Sequence, residues 1–230
     1  MIGVFDSGVG GFNSLSVLRK YLPKINIVYL ADRKNAPYGT KTEEEIINLA
    51  NRNISRLADM GAKRVLIACC TASSLWHKLS DEQRMISLPI IAPTVAALSG
   101  KEKRIMVIAT ERTVKNGCFG KEIKLKNPNA TVIEVAMQSL VSAVEHGVKN
   151  NSLVSSTEEN MRELILLVGK HEPDTIILGC THFSSVEFII RSILPEIKVV
   201  SPAYLGAKEM VQSLSRLGIN AIEEGKITYT

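Results

Sequence analysis

Arg64-Val65-Leu66-Ile67-Ala68-Cys69-Cys70-Thr71 and Thr175-Ile176-Ile177-Leu178-Gly179-Cys180-Thr181 are two versions of one phrase. Each is an apolar run, then a small residue, a cysteine, and a threonine close behind. An apolar run without alternation reads as a strand buried on both faces, the habit of parallel sheets covered by helices. A fainter echo links Gly3-Val4-Phe5-Asp6-Ser7 to Ile105-Met106-Val107-Ile108-Ala109-Thr110. The repetition predicts two similar α/β halves, each offering one cysteine at a strand's carboxyl end.

Outward from these blocks, further Val- and Ile-rich runs predict strands at 2–5, 27–30, 65–68 and 90–91, then at 105–109, 131–135, 175–178 and 199–200. Between them lie helical patterns. Ile46, Leu49, Ile54 and Leu57 recur at helical spacing across 42–60, and Thr42-Glu43-Glu44-Glu45 fits a capping box opening that helix. A second helix is expected over 156–168 with Ser156 or Thr157 as its cap. Strands alternating with helices imply an α/β fold. The expectation is two similar three-layer α/β domains with mainly parallel sheets, related by pseudo-twofold symmetry, with the site in the cleft between them. The crossover is placed near Ala92-Pro93 and the return near Ser201-Pro202. This makes residues 1–92 plus 202–230 the first domain and 93–201 the second.

Composition narrows the class. The 230 residues are 45% hydrophobic and 22% charged, ordinary for a globular chain. The net charge is +5, but Lys and Arg are scattered rather than gathered on one face with aromatics between, so no nucleic-acid partner is expected. Met1-Ile2-Gly3-Val4-Phe5-Asp6 lacks the charged and long apolar regions of a secretory signal, and no apolar run reaches the ~20 residues of a membrane span. The four cysteines show neither CxxC pairing nor a disulfide framework, so free thiols in a reducing cytoplasm are expected. His77, His146 and His171 lack ligand spacing, and no metal site is predicted.

In open parallel sheets the ligand crevice lies outside the carboxyl ends of the strands. Cys69 and Cys180 both fall there, each before a predicted helix start whose free N–H groups would favour a thiolate and bind carboxylates. Two thiols from two halves suggest two-base racemisation: one removes a proton from one face of a carbon while the other donates to the opposite face. A lone buried cysteine is more often a small core residue, which is the reading kept for Cys118. Cys70 is read as structural or as a substrate neighbour; a bridge to Cys69 would be strained. Asp6-Ser7-Gly8-Val9-Gly10-Gly11 matches no phosphate-binding motif. It is read as a strand-to-helix turn presenting Asp6 and Ser7 to the crevice, with helix capping by those residues the equal alternative. His182 is placed to hydrogen-bond a thiol or a substrate.

Gly3 to Gly11, Asp32 with Pro37-Tyr38-Gly39, Ala68-Cys69-Cys70-Thr71-Ala72-Ser73 and Leu178-Gly179-Cys180-Thr181-His182-Phe183 together closely resemble the signature blocks of glutamate racemase, in order and approximate spacing. The resemblance implies a cofactor-independent isomerase interconverting L- and D-glutamate, supplying D-glutamate for peptidoglycan, often as a homodimer. Carried over by position, Cys69 and Cys180 are the acid/base pair, assisted by Asp6 and His182. Asp6, Ser7, Tyr38, Gly39, Cys70, Thr71, Thr181 and His182 would contact substrate. Asp32, Glu145, Thr110 and Thr113 match further family positions near the site. The chain departs from the pattern at Cys70, where the family usually has Asn, at Ser184, where it has Pro, and at Ala136-Met137-Gln138, where it has Cys-Pro-Leu. Two other readings stand beside this one: a racemase of the same superfamily acting on aspartate or another amino acid, and a binding protein that keeps the fold without turnover.

Overall fold

The apolar runs around the two cysteines become inner strands of two separate parallel sheets. The computed structural model describes residues 1–218 and 225–230, so 219–224 of the segment assigned to the first domain lie outside the described residues. The first sheet holds β1 (Ile2–Asp6), β2 (Ile27–Ala31), β3 (Val65–Ile67), β4 (Ser87–Pro89) and β9 (Ile227–Tyr229) in the order β4-β3-β1-β2-β9. The second holds β5 (Arg104–Ala109), β6 (Thr131–Ala136), β7 (Thr175–Gly179) and β8 (Lys198–Val200) in the order β6-β5-β7-β8. Read from the other edge, the second order is β8-β7-β5-β6, the same winding as β4-β3-β1-β2. The repeat seen in the sequence is therefore a repeat of topology: β3 corresponds to β7, and β1 to β5.

Helices α1 (Phe12–Tyr21), α2 (Glu43–Asp59), α3 (Cys70–Ser73), α4 (Asp81–Ile86) and α5 (Ile91–Ala96) follow the first strands; α6 (Glu111–Asn116), α7 (Cys118–Lys126), α8 (Gln138–Lys149), α9 (Leu153–His171), α10 (Glu187–Ile193) and α11 (Pro202–Arg216) follow the rest. They cover both faces of each sheet, producing four apolar clusters. In the first half, Val4, Leu66 and Met210 lie on one side, and Phe5, Ile67 and Leu57 on the other. All five residues of β1 and of β7 are buried, the burial that unalternated strands require. No helix among the described residues is long and apolar enough to cross a membrane.

The capping box at Thr42 forms as read: its hydroxyl accepts from the Glu45 N–H while the Glu45 carboxylate accepts from the Thr42 N–H. Three local expectations are corrected. The strand placed at 90–91 is Ser87–Pro89, because Ile90 caps α5 and Ile91 is its first residue. The helix placed at 156–168 runs Leu153–His171, and neither Ser156 nor Thr157 caps it. Thr157 is buried and donates to the Leu153 carbonyl one turn back (2.8 Å), a mid-helix use of a hydroxyl that mimics a cap in sequence.

Glu102 ties the turn before β5 to β8. Its carboxylate accepts from the N–H groups of Ser99 and Gly100 (both 2.9 Å) and from Lys198 (2.7 Å). Burial alone would raise its pKa, but these donors outweigh it and hold the group at about 2 against the usual 4.5. A depressed carboxyl pKa stabilises the fold above the unfolded value and loses that contribution as pH falls through the folded one. Glu102→Gln is expected to cost about 1–3 kcal/mol near neutrality. In urea melts across pH, the gap between variant and parent should close as pH drops from 4.5 towards 2.

Candidate active site

β3 ends at Ile67 and β7 at Gly179, so the chain leaves each sheet at its carboxyl edge just before a cysteine. Cys69 is extended (φ −71°, ψ 116°) and precedes α3; Cys180 is extended and precedes a 3₁₀ turn over Thr181–Val186. The two side chains, 4% and 6% exposed, line one cavity. Of the other residues singled out in the sequence, Ser7, Tyr38, Gly39, Cys70, Thr71, Thr110, Thr181, His182 and Glu145 line the same cavity. Asp6 does not. It is fully buried and accepts from the Thr181 hydroxyl (3.0 Å) and the Gly8 N–H (2.8 Å). It does not cap a helix either: α1 starts six residues on, after Gly11.

A relay runs along the second wall. The Cys180 sulfur lies 3.6 Å from Nδ1 of His182, whose Nε2 is 2.9 Å from Oε1 of Glu145. Burial works against charging the imidazole, but its bonds to Cys180 and Glu145 outweigh burial and hold its pKa well above the ordinary value. The bond from His182 in turn holds the Glu145 carboxyl low, against a smaller effect of burial. The arrangement is a carboxylate, an imidazolium and a sulfur in a row, so the cation sits beside Cys180.

Cys69 differs. Its sulfur is 3.3 Å from the Ser7 hydroxyl, and burial, with the Asp6 charge second, pushes its pKa up to about 12. The expectation that the following helix would favour a thiolate is thus overturned at Cys69. Desolvation of a fully buried sulfur exceeds what Ser7 and the Ala72 N–H return, and α3 is one turn long. Cys70, also buried, is pushed well up by the same cause.

The glycine-rich turn explains how the two halves come together. A Cβ on Gly10 would lie 2.6 Å from the Thr181 hydroxyl and 2.7 Å from the His182 nitrogen, so only glycine lets that loop of the second half pack here. Tyr29 donates to the Gly8 carbonyl (3.0 Å) and steadies the turn. Across the cleft Thr71, Thr110 and Thr113 join their hydroxyls in a triangle with 2.9–3.3 Å edges, again linking first half to second. Thr110 also caps α6 by accepting from the Thr113 N–H.

Asp32 acts at one remove. Its carboxylate accepts from Tyr38 (2.7 Å), Asn53 (2.9 Å) and Asn35 (2.7 Å), which overcome burial and keep its pKa low. Tyr38 thus lines the cavity while its hydroxyl donates to Asp32. Asn53 carries no signal in sequence beyond a polar residue on the buried face of α2. Asn13, equally silent, reaches from α1 to the Ser185 hydroxyl (3.2 Å) across the halves. Ala36, Pro37, Gln138 and Val141 complete the lining; Gln138 registers in sequence only as a departure from the family pattern. His77 and His146 are exposed and outside the cavity, and no group of three metal-ligating side chains occurs among the described residues.

Three comparisons bear on this geometry. A family model described as Asp/Glu/hydantoin racemase matches residues 18–210. A glutamate racemase of Limosilactobacillus reuteri (strain DSM 20016) is 35% identical over 225 residues, covering 95% of this chain and 83% of that protein. The crystal structure of glutamate racemase isoform RacE1 from Bacillus anthracis superposes with a TM-score of 0.86 at 28% identity, over 100% of this chain and 87% of that one. The glutamate racemase of Francisella tularensis subsp. tularensis SCHU S4, solved in complex with D-glutamate, gives 0.81 at 27% identity, over 99% and 85%.

Proposed function

The chain belongs to the Asp/Glu/hydantoin racemase family and is an amino-acid racemase, and from that membership we propose that it interconverts L- and D-glutamate, with Cys69 and Cys180 acting on opposite faces of the α-carbon and no cofactor. One observation carries the reading: corresponding strands of two like-wound sheets deliver one cysteine each into a single cavity. The choice of glutamate is supported by relatives bearing that name over most of their length and by the D-glutamate bound to one of them.

In this mechanism the two sulfurs start in unlike states. Cys69, pushed up to about 12, rests as a thiol and is the proton donor. Cys180, with the His182 cation beside it, is the base. Proton removal from the α-carbon by Cys180 and delivery from Cys69 inverts the centre and exchanges the roles of the two sulfurs; turnover of the opposite enantiomer restores them. Asp6 positions Thr181 and the Gly8 turn. Ser7, Tyr38, Gly39, Cys70, Thr71, Thr181 and His182 surround the substrate. Supply of D-glutamate for peptidoglycan, a cytoplasmic location, a homodimer and the 1–92 plus 202–230 against 93–201 division belong to the same proposal. The test is circular dichroism of D- or L-glutamate incubated with the pure protein. Decay of either signal to zero supports the reading, whereas a folded protein that leaves glutamate unchanged but racemises aspartate would replace the substrate.

A further inference from the structure

Gln138 opens α8 directly after β6, on the same carboxyl edge of the second sheet as Cys180. Its side chain lines the reaction cavity, and its carboxamide oxygen Oε1 is wholly shielded from solvent yet has no hydrogen-bond partner in the protein. Buried acceptors of this kind are rarely left empty, because each costs its full desolvation. The approach is also built into the fold. A Cβ at Gly39 would collide with Oε1 of Gln138 and lie 2.9 Å from Cβ of Thr110, so glycine at 39 keeps the space the carboxamide occupies. A free acceptor held in a substrate cavity is a receptor for a donor on the substrate.

An amino acid with a carboxylate side chain carries only one kind of donor at neutral pH, its α-ammonium group; its four carboxylate oxygens all accept. We propose that Gln138 is a substrate-binding residue whose carboxamide oxygen accepts a hydrogen bond from the substrate's α-ammonium group, so that it reads the amino-acid end of the molecule. The inference rests on the amino-acid substrate of the proposed function, not on glutamate in particular.

Gln138→Met keeps the length and packing of the side chain and removes the acceptor. A hydrogen bond to a charged donor of this strength predicts a KM for D- and L-glutamate raised about 10- to 100-fold, with kcat little changed. Glutarate, which lacks the ammonium group, is the control ligand: its inhibition constant should be the same for parent and variant. Unchanged KM for glutamate, or glutarate weakened as much as glutamate, would overturn the proposal. Should the parent turn over aspartate and not glutamate, the substrate reading fails on its own. The same comparison, run with aspartate against succinate, then decides on Gln138 by the same criteria. A parent that binds no amino acid rejects both.

Discussion

Cys69→Ala and Cys180→Ala are each expected to stop racemisation in both directions, with kcat/KM down by at least ~10³-fold where one acid–base group supplies ~10²–10⁴. The symmetry of the reaction makes the double loss unavoidable. Enantiomers have equal free energy in solution, so the equilibrium constant is one and kcat/KM must be the same from either side. No substitution can spare one direction. The informative measurement is therefore proton exchange in deuterated water. With Cys69 gone, Cys180 can still lift a proton from the face it meets and return a deuteron to that face. One enantiomer should exchange its α-proton without inverting, and Cys180→Ala should exchange the other, more slowly because Cys69 rests as a thiol. If both variants exchanged the same enantiomer, the two sulfurs would share a face and the mechanism would fail.

His182→Asn comes next in size. His182 lies between the Glu145 carboxylate and the Cys180 sulfur, and its bonds to them hold the ring protonated well above its ordinary range despite burial. Its two ring nitrogens reach Cys180 and Glu145, so Asn at 182 removes the group that faces the sulfur. The expected loss in kcat/KM is about 10²-fold, equal in the two directions. In the parent the raised His182 pKa predicts a rate that falls on the alkaline side, above the ordinary histidine range, as the ring loses its proton; that limb should be absent from His182→Asn. Its absence separates this role from a purely structural one, which would lower the rate at every pH alike. Glu145→Gln should move the limb to lower pH, because the neutral amide still bonds the ring but no longer holds its charge.

Much of this molecule was legible before folding because its decisive features are local. Val65–Ile67 and Thr175–Gly179 are strands by composition, Thr42 and Glu45 cap a helix within three residues of each other, and the cysteine after each strand marks a crevice edge. The errors arose where a local pattern had a distant competitor. Thr157 looks like a cap but sits inside a helix that begins four residues earlier, bonded to the Leu153 carbonyl. Asp6 looks like a helix cap, but α1 starts only at Phe12 and the Asp6 carboxylate accepts instead from the Thr181 hydroxyl, 175 residues away. Cys69 precedes a helix, and still burial beats the helix by pushing the thiol up to about 12.

Periodicity and repetition were enough to decide the fold class, the pairing of β3 with β7 as equivalents, and the edge at which chemistry would occur; side-chain period and strand direction need no knowledge of distant neighbours. Only the assembled halves decided which groups meet there. The 2.9 Å bond of His182 to Glu145, the threonine triangle and the unfilled oxygen of Gln138 each depend on desolvation or on contacts between segments far apart in the chain, and neither is written in any one stretch of residues.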